Sequence, residues 1–157
     1  MVPGDVRGLL SLAEPPAEGG DSIDWEGVAA ETGWHFPADY RELVETFGSG
    51  EFTGNVDFGV PPRHDEPMDS GILRSRPPRA ETARLMWGGN DSGDSYYWNC
   101  EDPDPDRWTV AASAMGGILL FRMGAVEFLV EMLTGRLDAE LRLNYSDVTS
   151  YEFVGWR

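Results

Sequence analysis

Lysine is missing altogether from this chain of 157 residues, and cysteine occurs once. The first absence excludes a phosphate-binding loop with its lysine. The second excludes an internal disulfide, and Cys100 has no second cysteine or nearby histidine with which to share a metal, which points to a reducing compartment. Only two histidines are present, His35 and His64, too far apart in the chain to make a zinc site. No apolar run approaches the ~20 residues of a membrane span, and the start lacks the basic-then-apolar order of a secretory signal. A cytoplasmic protein is the expectation. Positive charge is scarce too: 12 arginines stand against 28 acidic side chains, for a net charge of −16. Phosphate recognition rests on clustered Lys and Arg, so nucleic acid and anionic membrane are disfavoured as direct partners. A basic protein is favoured, because a strong negative field speeds its approach, although acidity also serves plain solubility.

What the chain does have is aromatic weight, 11% of its residues with six tryptophans, which argues for a packed core rather than disorder. At this length a single domain buries about 68–70% of its unfolded surface. Residues 1–20 read as an arm and linker: a short helix over 5–13 with Leu9 and Leu10 as anchors, then the breaker stretch Ala13 to Gly20. Residues 21–157 read as one domain.

Two helices follow. Asp21, Ser22 and Asp24 suit a helix start, with Ile23, Val28 and Ala29 on its buried side up to Gly33. Pro37 then opens a second helix in which Tyr40, Leu43, Val44 and Phe47 keep the i, i+3, i+4, i+7 spacing of one buried face, and Gly48 ends it. From Glu51 the period changes to two. Phe52, then Val56, Phe58 and Val60, predict strands joined by a turn near Gly54-Asn55; Leu85 to Gly88, Tyr96-Trp98-Cys100 and Trp108-Val110-Ala112 predict three more. Residues 61–83, rich in proline and charge, predict an irregular excursion with a short strand at Ile72-Leu73. Ile118-Leu119-Leu120-Phe121 is apolar on both faces, as expected of a central strand covered on both sides or of a strand meeting a helix. A last strong helix is predicted over 125–134, while 137–157 fits either a helical extension or a closing strand at 151–156. The fold class is α+β: a single antiparallel sheet of about five to six strands with N-terminal helices and a C-terminal helix packed against it.

Four pieces of this pattern resemble a known family. A Trp-bearing short helix leads into Gly33-Trp34-His35-Phe36-Pro37-Ala38-Asp39-Tyr40 and a helix closing on Gly48-Ser49-Gly50. Trp87-Gly88 is followed by an acidic Gly93-Asp94 turn and the aromatic strand Tyr96-Tyr97-Trp98. Asp102-Pro103-Asp104-Pro105-Asp106 leads into Trp108-Thr109-Val110, and Val126 to Gly135 makes the final helix. In this order they resemble the SUKH superfamily, bacterial toxin-immunity proteins related to a fungal cell-wall assembly regulator. The resemblance covers roughly residues 9 to 135 and implies a non-catalytic protein-binding domain that neutralises a polymorphic toxin of nuclease or deaminase type by covering its active surface. It implies a basic toxin domain as partner, no cofactor and no metal, and a monomer or weak dimer. An adaptor docking cellular proteins on the same fold is the alternative, and a small carboxylate-dependent hydrolase a second.

A nuclease site is basic because it holds phosphates, so clustered carboxylates can occupy it. Asp91, Asp94, Glu101, Asp102, Asp104 and Asp106 are the candidate acidic patch, with Trp87, Tyr97 and Trp98 as candidate aromatic anchors. The competing reading is that the aspartates bond their own turn backbone and that a tryptophan of this set packs in the core. No EF-hand is present, since prolines at 103 and 105 and Ser113 in the place of the bidentate Glu exclude it. Gly48-Ser49-Gly50 lacks the Gly-x-Ser-x-Gly of a nucleophile elbow.

Overall fold

Alternating side chains decide the sheet. The computed structural model describes residues 5–68, 70–74 and 84–156. Seven strands, β1 (Gly50–Phe52), β2 (Val56–Phe58), β3 (Arg84–Asn90), β4 (Ser95–Asn99), β5 (Thr109–Ala114), β6 (Gly117–Phe121) and β7 (Phe153–Gly155), form one antiparallel sheet in the order β6-β5-β4-β3-β2-β1-β7. β1 to β6 are a meander, each beside its sequence neighbour. β7 returns from the far end of the described chain to pair with β1, Gly50 opposite Gly155 and Phe52 opposite Phe153. That strand takes the count above five to six.

Five helices complete the fold: α1 (Arg7–Leu10), α2 (Trp25–Thr32), α3 (Ala38–Phe47), α4 (Ala125–Leu133) and α5 (Asp138–Leu141). Asp24 caps α2 by accepting from the Gly27 amide at 3.1 Å, and Gly33 ends it in the left-handed region. Tyr40, Leu43, Val44 and Phe47 of α3 are buried, as their spacing predicts, and so are Phe128, Leu129, Met132 and Leu133 of α4.

The inner face of the sheet meets these helices through aromatic rings. Trp98 lies under α3, with the Tyr40 ring edge-on to it at 4.8 Å, and touches Phe36, Trp87 and Trp108 at 5.8, 6.1 and 5.8 Å. Phe128 of α4 stands edge-on to Trp87, Tyr96 and Phe121. A second cluster joins Phe47 to Phe52 and Phe153 at the β1–β7 end. The Tyr40 hydroxyl donates to the Gly59 carbonyl, which gives the buried phenol a partner. A register shift between Met86 and Gly88 turns Trp87 inward beside Gly88, where a Cβ would meet the Asp57 carbonyl at 2.6 Å.

Several expectations are met only in part. The arm packs on the domain through Val6, Leu9 and Ala13, which belong to the one core, while Leu10 is 41% exposed, so of its two expected anchors only Leu9 is inside. The linker is held as well, because the Gly20 and Asp21 amides donate to the Glu45 and Val44 carbonyls and satisfy the free end of α3. Ile72 and Leu73 form a buried 3-10 turn over Gly71–Leu73 rather than a strand; 69 and 75–83 of the same excursion lie outside the described residues. Of the two options for Ile118 to Phe121, the strand meeting a helix is the one found, at an edge of the sheet and covered on one side alone. Phe121 meets Phe128, whereas Ile118 and Leu120 point to the face without helices. The β1–β2 turn spans Thr53, Gly54 and Asn55 and so includes the expected Gly54-Asn55, with Thr53 and Gly54 at positive φ.

Candidate partner-binding site

β4 splits the predicted site residues in two. The turn that carries Asp91 and Asp94 joins β3 to β4 at one end, and the loop with Glu101, Asp102, Asp104 and Asp106 leaves β4 at the other. Five residues at about 3.3 Å each put roughly 17 Å between them. Trp87 and Trp98 are 1% and 0% exposed on the inner face and cannot reach a partner. Tyr97 points the other way, half-buried on the helix-free face. So the nine residues make no single patch.

The first end is structural. Asp94 is buried and accepts from the Asn90 side-chain amide at 3.0 Å, while the Asn90 amide oxygen takes the Ser92 and Asp94 N–H groups. That nitrogen also donates to the Tyr96 hydroxyl, whose pKa is raised by burial and then by Asp94. Asp91 is tied through its backbone to Asn55. The side chain that bonds the turn backbone here is that of Asn90, not of the two aspartates.

The second end is a built loop. Asp102 accepts from the Asp104 amide at 2.9 Å and Asp104 from the Asp106 amide at 3.0 Å, successive aspartate turns set by the prolines between them. The Trp108 ring N–H donates to the Asp102 carbonyl at 2.8 Å, and Asp106 receives the Ala38 amide at 2.7 Å, so the loop is pinned to the start of α3. These bonds use one oxygen of each carboxylate. Between this loop and the segment from α2 to α3 lies a cleft of about 480 Å³. Trp25, Trp34, Phe36 and Trp108 supply its aromatic walls, and Glu26, Glu101, Asp102 and Asp106 its acidic side. Trp34 and Trp108 meet edge-on at 6.1 Å, and Trp25 is oriented by its ring N–H on the Glu45 carboxylate at 2.8 Å. Of the predicted acids, Glu101, Asp102 and Asp106 are brought together here and Asp104 stands behind them. The walls were not predicted, since they come from segments some seventy positions apart in sequence. The one available signal was four aromatic side chains flanking helix caps and a proline loop.

Neither a family model, a curated protein nor a solved structure matches the chain. The geometry of the cleft must therefore carry the functional reading. Among the described residues no group of His, Cys, Asp and Glu is placed to hold a metal ion, and no helix is long and apolar enough to cross a membrane.

Two further carboxylates have a measurable consequence. Asp39 accepts the Val126 amide at 3.1 Å and so caps α4 from the start of α3; burial raises its pKa against those amide bonds, with Asp106 adding to the rise. Asp57 on β2 is raised by burial, then by Asp91 and Glu51. A carboxylate with a raised folded-state pKa adds stability that is complete below its unfolded value of about 3.9 and is lost as pH rises through the folded value. Thermal melts are therefore expected to show a midpoint that falls as pH rises from about 4, and Asp57→Asn is expected to flatten that slope. A slope identical in the Asp57→Asn variant would contradict the Asp57 assignment.

Proposed function

We propose that this chain is a non-catalytic protein-binding domain that neutralises a toxin of nuclease or deaminase type by covering its active surface. The observation that carries the proposal is the acid-sided aromatic cleft on a pinned loop. Such a cleft suits an arginine or lysine side chain from a basic partner: the half-buried Trp25 ring attracts a cation by about 0.5–2 kcal/mol, and a carboxylate receives its N–H groups. The net charge of −16 steers that partner in, which raises the association rate rather than the lifetime. A nuclease presents such cations because it holds phosphates. Occupying them removes its substrate without any bond being broken by the immunity protein. The SUKH-like order of motifs supports the same reading, as does the placement of Glu101 and Asp102 at the cleft mouth with oxygens left over for a partner.

The test partner is a basic nuclease or deaminase domain. Its turnover is expected to stop on mixing with the full chain, and Glu101→Lys with Asp102→Lys is expected to raise the inhibition constant by about 10- to 100-fold, mostly through slower association. Inhibition untouched by the double reversal would place the contact elsewhere. No inhibition and no complex at all would end the immunity reading.

A further inference from the structure

Among the described residues no strand pairs with the outer edge of β6. We propose that two copies of this chain pair antiparallel through β6, centred on Leu119, to make one continuous sheet. The pairing is independent of the cleft.

The β5–β6 turn consists of Met115 and Gly116, with φ of 54° and 78°. Two left-handed residues make the primed turn that closes tight hairpins, so Ala114 and Gly117 are its hydrogen-bonded pair. Bonding alternates along an antiparallel ladder. Leu119 and Phe121 therefore direct their backbone groups at β5, and Ile118 and Leu120 direct theirs at the bare edge. These are also the two residues whose side chains are most exposed on the strand, 47% and 67%. Natural sheets guard such edges with charge, proline or brevity. β6 has none of these: it spans five residues and contains no charge and no proline. β7 at the other edge is three residues long and follows Glu152.

Why a copy of itself and not the basic partner? Between Arg107 and Glu127 the chain has no carboxylate, and Arg122 is its sole charge, in a protein with 28 acidic residues. The field that draws a cation is locally absent at β6, and so is the repulsion that keeps two copies apart elsewhere. The strand is also self-complementary. With Leu119 on the twofold axis, Ile118 of one copy stands opposite Leu120 of the other, twice. Both are outward-facing positions, so the two pairs exchange four backbone bonds and stack four aliphatic side chains on the helix-free face. There they extend the row Met86, Tyr97, Ala111 and Leu120 already aligned across β3 to β6. Each Arg122 falls beside Gly116 of the other copy, clear of its counterpart.

Sedimentation of the full chain over a wide concentration range, together with amide exchange, tests this. The expected result is a concentration-dependent dimer in which the Ile118 and Leu120 amides become protected as it forms, while Leu119 and Phe121 are protected throughout. Ile118→Pro deletes an outward N–H and leaves the β5 ladder intact, so it is expected to weaken the dimer by about 10- to 100-fold with an unchanged circular dichroism spectrum. Leu120→Lys, which keeps the backbone donor, is expected to weaken it through the side chain. A monomer at every concentration overturns the proposal. So does a dimer that survives both variants, or free exchange at Ile118 and Leu120 within it.

Discussion

Trp98→Ala is expected to destabilise the fold by about 3–5 kcal/mol, the range for truncating a large buried aromatic. Trp98 is fully buried on β4, an interior strand of the sheet, and is the ring that Phe36, Tyr40, Trp87 and Trp108 all meet. Its removal leaves a void under α3 that four rigid rings cannot close by rotation, so the cavity cost adds to the lost transfer energy. Domains of this kind are stable by about 5–15 kcal/mol, so roughly a fifth or more of the total is at risk. Tyr97→Ala is the control, one residue away on the same strand but on the helix-free face, with an expected loss of about 1 kcal/mol or less. Urea unfolding of the pair decides the matter. Equal losses would mean that the sheet is not covered on one side only.

Gly135→Ala is expected to cost about 2–5 kcal/mol through two separate effects. The residue follows α4 at φ +84°, where an L side chain is strained by about 1–2 kcal/mol. A Cβ would also stand 2.6 Å from the Ser146 nitrogen and 2.7 Å from its Cα, and these are backbone atoms that cannot swing away. Shifting them adds about 1–3 kcal/mol. They belong to the turn Tyr145–Asp147 held by Asp138, whose carboxylate accepts the Tyr145 and Ser146 amides at 3.0 and 2.9 Å. Gly54→Ala separates the two contributions, since Gly54 has φ +70° and nothing within 4 Å of a Cβ. A Gly135 variant no worse than the Gly54 variant would show that the Ser146 contact yields freely.

Helices α3 and α4 were legible because one buried stripe serves each, and β4 and β5 because their inner and outer residues differ in kind. β6 was not. Ile118 to Phe121 offers no alternation, so its letters left open a strand buried twice and a strand meeting a helix; it is the second, with outer side chains that face solvent. β7 was foreseen only as one of two options, because three residues contain too little pattern to separate a strand from a helix end. The acidic patch failed for a geometric reason: residues close in sequence across β4 lie at opposite ends of it. The cleft was invisible for the converse reason, its two walls meeting only after the Asp106 carboxylate receives the Ala38 amide.

The placement of β7 outside β1 has a consequence for synthesis. Six strands can zip as they leave the ribosome, each onto the one just made, and these short closures are fast. β1 must wait for a partner about a hundred residues downstream. Until 153–155 arrive, its unpaired rim and the phenylalanines beneath it are exposed, and any delay there invites capture by another nascent copy.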